Sequence, residues 1–266
     1  MSNANFSTAP SHRTHSRGRG KSHSRRSTIG SWASVGTPPR GLHRHNRHRS
    51  QPKGPHVTSS PAPAQPRVRV IALGDEMLAG AGDQRAMGWF TRALAQHNGS
   101  GDLVDSYTAA IPGETTAELA RRWEADVTRL LDTHNTGESD DTQHRVVVAL
   151  GRADLDAGIS IARSRLNLAT VLDGLGHLRI PVFVVGPAPS KDRERTDAIL
   201  ELSHAFHDVC ARRRIPYVDP AAALAHHDQF LADVARSPRD LPSQTGYGLI
   251  TWLVLHGEFS EFLAAQ

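Results

Sequence analysis

The sequence predicts an α/β fold, a three-layer α/β/α doubly wound sheet of five parallel strands. Two observations predict it. From Arg67 onward, short apolar segments alternate with longer segments of helical period. The later apolar segments run on without polar interruption, as strands buried on both faces do. Strand–helix–strand alternation then implies parallel pairing through right-handed crossovers.

The strand segments are VRVIAL (68–73), LVDSYTA (103–109), RVVVAL (145–150), PVFVVG (181–186) and IPYVD (215–219). Between them, Ala120, Trp123, Val127 and Leu130 recur at helical spacing. So do Ile159, Ala162, Leu166, Ala169, Leu172 and Leu175, and then Ile199, Leu202, Phe206 and Val209. The segment TTAE at Thr115–Glu118 reads as a capping box opening the second helix. A single last helix is expected from Gly246 to Phe262. The only cysteine, Cys210, falls among Leu202, Phe206 and Val209 and reads as a small core residue, so an intrachain disulfide is excluded.

The chain has 266 residues and a formal net charge of +4, which conceals two opposite parts. Residues 1–66 hold 11 of the 31 Lys and Arg, 7 of the 16 His and none of the 27 Asp and Glu. The other 200 residues therefore hold 20 basic against 27 acidic side chains, a net of −7. The first part, with SHRTHSRGRGKSHSRRS and RGLHRHNRHRS, has too few apolar residues to offset its ordering entropy, so a disordered tail is expected. PAPAQP reads as a linker, which places the domain boundary near Pro66 and the folded domain at 67–266. The tail's charge suits contact with a polyanion. SRRS is followed by no apolar stretch, so export is rejected, and a cytoplasmic location is the default expectation. No run approaches the roughly 20 apolar residues that span a bilayer.

In open parallel sheets, ligands bind beyond the carboxyl ends of the strands. The first three such loops are GDEMLAGAGD (74–83), AIPGETT (110–116) and GRADLDAG (151–158). Each combines glycine with polar groups. The glycines at 74, 80 and 82 do not form the G-x-G-x-x-G dinucleotide fingerprint, and no dedicated metal-ligand spacing is visible, so no cofactor or metal is expected.

With these loops on the page, the sequence resembles the SGNH hydrolases, also called GDSL esterases/lipases, whose sheet is flavodoxin-like. The resemblance runs from about Val68 to about Leu255. It is carried by GDE at Gly74–Glu76, PGETT at Pro112–Thr116, GRAD at Gly151–Asp154 and PRDLPSQTGY at Pro238–Tyr247. In that family the first block is GDS, the third is GxND, and a DxxHP precedes the last helix. GDEMLAG is also similar to a stretch of molybdopterin-binding domains, but the GGxGPT loop of that family is absent.

The resemblance implies a role for each position. The serine nucleophile position holds Glu76, the histidine position Leu241 and its aspartate position Pro238. Of the oxyanion positions, Gly113 keeps the family type and Ala153 replaces asparagine. Acyl transfer needs a nucleophile, a base and preorganised donors. The expected function is therefore non-catalytic binding of a small ester or glycan-like ligand in the former cleft. The alternative is an ester hydrolase using Glu76, or Ser243 as nucleophile, or Asp240 as base. Glu76 is expected to pair with Arg152, with Asp75, Asp154 and Asp240 framing the same mouth. His226, His227 and His256 read as ordinary histidines away from the family position.

Overall fold

A computed structural model describes residues 68–98, 104–132 and 142–264. The basic segment 1–66 and the boundary near Pro66 lie outside the described residues.

Five strands form one sheet: β1 (Val68–Gly74), β2 (Val104–Ala110), β3 (Gln143–Ala149), β4 (Val182–Val185) and β5 (Tyr217–Val218). All neighbours pair in parallel, in the order β2-β1-β3-β4-β5. The chain moves outward from β1 to β2, then crosses to β3 on the other side of β1. This reversal puts the topological switch point, with its crevice, between the carboxyl ends of β1 and β3.

The connections carry α1 (Gly88–Asn98), α2 (Thr116–Asp132), α3 (Ala153–Asp156), α4 (Ile161–His177), α5 (Arg193–Ala211), α6 (Pro220–Leu224), α7 (Asp228–Ala235), α8 (Gln244–His256) and α9 (Phe259–Ala264). Strand residues alternate between two cores, as the pleat requires. Val70, Ala72, Val147 and Phe183 pack toward α1, α8 and α9. Ile71, Leu73, Val146 and Val184 pack toward α2, α4 and α5. Cys210 lies in the second core, where burial pushes its thiol up to about 12. No helix among the described residues is long and apolar enough to cross a membrane.

The capping box forms as read: Thr115 N donates to Glu118 Oε2 at 2.9 Å, and Glu118 N to Thr115 Oγ1 at 3.2 Å. Three expectations are corrected. The last helix is two, broken at Gly257, because Phe259 and Phe262 turn inward against Phe183. α4 starts after the N-cap Ser160, so Leu166 is exposed and Ser164, Asn167, Leu168 and Val171 face the core instead. The fifth strand shrinks to two residues at the sheet edge.

A local repeat emerges at the two C-terminal crossovers. Arg179-Ile180-Pro181 and Arg214-Ile215-Pro216 lead into β4 and β5. Each arginine sits in the left-handed region, at φ 57° and 55°. Each following isoleucine amide closes the preceding helix, Ile180 on Leu175 O and Ile215 on Cys210 O. This is a helix stop in which glycine is the low-strain residue.

Candidate functional site

β1 and β3 approach so closely at their ends that a Cβ on Gly74 would lie 2.0 Å from Ala149 O. This contact brings the loops after both strands together. Asp75 follows, buried, its Oδ1 accepting from Met77 N at 2.9 Å. The Gly151 amide of the neighbouring loop also bonds it, and a Cβ on Gly151 would stand 2.1 Å from Asp75 Oδ2. Burial, and next the charge of Glu76, push the Asp75 carboxyl up to about 7, against the pull of its amide donors.

Glu76 comes next, half-buried. Its Oε2 accepts from Gly113 N at 2.6 Å, across to the loop after β2. That short distance marks a charge-assisted bond. Gly113 is exposed, at φ 68°, with nothing within 4 Å of a would-be Cβ. Its loop is anchored from behind. Glu114 is buried and gripped by Arg122, which also donates to Ala109 O at 2.9 Å and to Asp126 at 2.5 Å.

Arg152 does not pair with Glu76. Its Nη1 lies 2.8 Å from Asp240 Oδ2, and its Nη2 donates to Asp240 O at 2.5 Å. The same carboxylate accepts from Ser190 Oγ at 2.6 Å and Lys191 N at 2.7 Å. Asp240 thus ties the loops after β3 and β4 to the segment before α8. Arginine chose the partner offering both a carboxylate and a carbonyl, a two-point match to its planar fork. Asp240 adopts φ 57°, and aspartate tolerates the left-handed region better than most residues.

Asp75 and Asp154 do not frame a mouth either; both are buried. Asp154 accepts from Thr116 N at 2.7 Å and Thr116 Oγ1 at 2.6 Å, and Asn167 donates to that hydroxyl at 3.0 Å. It fastens the start of α2 to the loop after β3. Of the three acids expected at one mouth, only Asp240 keeps some exposure.

Leu241 is a core residue, packed where a Cβ on Gly82 would come within 3.2 Å of its own. So the segment before α8 does meet the loop after β1, a contact reinforced by Tyr247 donating to Ala81 O at 2.7 Å. Pro238 is exposed. Ser243 is the N-cap residue of α8, yet the cap is supplied by Asp233 of α7. Asp233 accepts from Ser243 N at 2.7 Å, Ser243 Oγ at 2.5 Å and Gly246 N at 3.0 Å. Burial opposes its charge, but these donors and Arg236 win, holding the carboxyl below its ordinary value. The sequence reading missed Asp233, Ser190 and Lys191. None carries a local signal, because each acts across a tertiary contact.

The cavity beneath Asp75, bounded by Trp89, Gly151, Ala188 and Ile250, holds about 20 Å³. That is space for one water molecule and not for an acyl chain. In the loop after β2, Ile111, Pro112 and Gly113 are exposed, with the Gly113 amide bonded to Glu76. A wider groove of about 730 Å³ opens at the opposite, amino ends of β4 and β5, floored by Ile180, Ile215 and Phe262. Among the described residues, no three His, Cys, Asp or Glu side chains group as a metal site.

Comparison with known proteins supplies an independent view. The profile of the GDSL-like Lipase/Acylhydrolase family matches residues 72–249. No curated protein matches the chain. Among solved structures, a lipase/acylhydrolase from Enterococcus faecalis superposes with a TM-score of 0.60 at 23% identity, covering 73% of this chain and 96% of its own. The psychrotrophic esterase EstA from Pseudoalteromonas sp., inhibited by monoethylphosphonate, gives 0.54 at 16% identity, with 71% and 94% covered. A member of the lipolytic protein G-D-S-L family from Veillonella parvula gives 0.55 at 16%, with 71% and 97% covered. At these identities the structural likeness speaks for the fold.

Proposed function

Since the chain belongs to the GDSL-like lipase/acylhydrolase family, we propose that it is a non-catalytic member that binds a small ester or glycan-like molecule at the former active-site cleft. One observation carries this reading. The residue after Gly74-Asp75 is Glu76, and its carboxylate accepts from the Gly113 amide at 2.6 Å. In acyl transfer that amide would donate to the oxygen of the reacting carbonyl. A carboxylate already seated on it blocks that use. Leu241 and Pro238 offer no proton-accepting side chain at the positions of base and orienter. Losing one member of such a triad costs orders of magnitude in rate, and further losses add little.

A second reading has its own observation. Ser243 Oγ donates to the Asp233 carboxylate at 2.5 Å, a hydroxyl beside an acid, as a serine hydrolase with a carboxylate base would need. Against it, Asp233 is held below its ordinary pKa and is therefore a weak base.

The test is hydrolysis of short-chain p-nitrophenyl esters by the wild type, Glu76→Ala and Ser243→Ala. Equal rates at the buffer background support the binding role. Turnover in the wild type that disappears in either variant establishes a hydrolase and removes the binding-only reading.

Residues 1–66 form a second contact element in this proposal, recognising polyanions through 11 Lys and Arg free of any acid. The full chain then elutes from immobilised heparin at higher salt than a chain starting at Arg67. Equal elution refutes the assignment.

A further inference from the structure

We infer that the groove at the amino ends of β4 and β5 is a second ligand site, one that takes a small organic cation with an apolar body. It lies at the end of the sheet opposite Glu76 and does not depend on what the carboxyl-end loops do. The repeated helix stop builds it. Arg179-Ile180-Pro181 and Arg214-Ile215-Pro216 each bring an isoleucine and a proline to the start of a strand. Pro181 O and Pro216 O still join the sheet, accepting from Val146 N at 2.9 Å and from Val184 N at 3.0 Å. Proline has no amide hydrogen, so neither residue presents a donor that water must satisfy. The floor is therefore apolar, and Phe262 of α9 completes it. The Phe262 carbonyl accepts from Nε of the buried Arg145 at 3.0 Å, which fixes that wall.

The groove holds about 730 Å³, a size common to sites for small organic molecules. Space remains on the α4 side because Gly176 lines it without a side chain, and a Cβ there would meet nothing within 4 Å. The charges on its walls favour a cation. Asp173 and Arg213 bond at 2.6 Å and 2.7 Å and offset each other. Of the other lining side chains, Arg214 adds one positive charge, whereas Glu258 and Glu261 add two negative ones. Phe262 N donates to Glu258 O at 2.8 Å, so the helical turn of α9 already includes Glu258. A spacing of three then puts the two glutamates on one helix face. An apolar amine fits both features. Its hydrocarbon part lies on Ile180, Ile215 and Phe262, and its ammonium stays at the solvent edge beside the two carboxylates. Burial of the apolar part supplies most of the affinity, because exposed charge pairs contribute little.

The experiment titrates the full chain with phenethylamine and follows the methyl groups of Ile180 and Ile215 by carbon–proton correlation NMR. Both shift saturably, and phenethyl alcohol, the neutral counterpart, shifts them too. In the double variant Glu258→Gln, Glu261→Gln the amine binds about fivefold more weakly, the size expected of exposed charge pairs, while the alcohol is unchanged. Added salt weakens the amine alone. Gly176 lies in α4, where leucine is a better helix former than glycine. Gly176→Leu therefore keeps the fold, fills the groove and abolishes the saturable shift with both compounds. The inference is overturned if neither methyl shifts saturably or if the double variant binds the amine as the wild type does. It is overturned equally if Gly176→Leu, with its thermal unfolding intact, leaves the amine's affinity unchanged.

Discussion

Arg152 and Asp240 are joined at two points, guanidinium to carboxylate at 2.8 Å and guanidinium to backbone carbonyl at 2.5 Å. The pair is partly screened from solvent, with 12% and 14% of the two side chains exposed. It links the loop after β3 to the segment before α8, and Asp240 extends the link to Ser190 and Lys191. The carboxyl-end loops are thereby held as one platform.

Replacing Asp240 by Asn keeps the local backbone preference but removes the charge from three donors, Arg152 Nη1, Ser190 Oγ and Lys191 N. The expected loss is about 1–3 kcal/mol, and Arg152→Ala costs a similar amount. Because the two residues share one bond network, the double variant loses less than the sum, by about 1 kcal/mol. Urea unfolding of the four proteins checks this; strict additivity contradicts the linkage.

Gly151→Ala destabilises the domain by about 2–3 kcal/mol. The new methyl would stand 2.1 Å from Asp75 Oδ2, and that carboxyl is fixed by backbone amides. Gly158→Ala is the control, since its would-be Cβ meets nothing and only its φ of 64° adds strain. A Gly151→Ala protein no less stable than the control shows that Asp75 is free to move.

Asp75 confers a defined pH dependence. Its folded pKa is raised from 3.8 to about 7, so between these values the folded state binds a proton that the unfolded state has released. Stability therefore falls as pH rises from about 4 to about 7 and levels off above, by at most on the order of 4 kcal/mol. In Asp75→Asn this component vanishes. The difference between wild type and variant across urea titrations from pH 4 to pH 8 reads it directly. A flat difference removes the assignment.

Arg179→Gly and Arg214→Gly each raise stability by about 0.5–1 kcal/mol. Both arginines occupy the left-handed region, at φ 57° and 55°, where glycine escapes the Cβ strain. Thermal unfolding measures the gain. A loss in both variants would mean that the side chains make contacts outweighing the strain.

Much of this architecture is legible in the chain because it depends on local periodicity. Uninterrupted apolar runs such as Val146–Val148 mark strands buried on both faces, and spaced residues such as Ile199, Leu202 and Phe206 mark the helix that covers them. Thr115 and Glu118 declare a helix start within four residues. The blocks at Gly74, Gly113, Gly151 and Gly246 also announce the family, because close approaches at Gly74, Gly151 and Gly246 leave little room for a Cβ and Gly113 adopts a left-handed backbone.

The partners of the charged groups were decided only in three dimensions. Sequence placed Glu76, Arg152, Asp154 and Asp240 in loops at one end of the sheet, but a carboxylate pairs with whichever donor the assembled loops bring within reach. Glu76 met an amide 37 residues away, Asp154 a threonine 38 residues away and Arg152 an aspartate 88 residues away. Hydrogen bonds have short range and strict direction, so their pairing follows the packed backbone. Hydrophobic burial depends on area and period, and a linear sequence carries both.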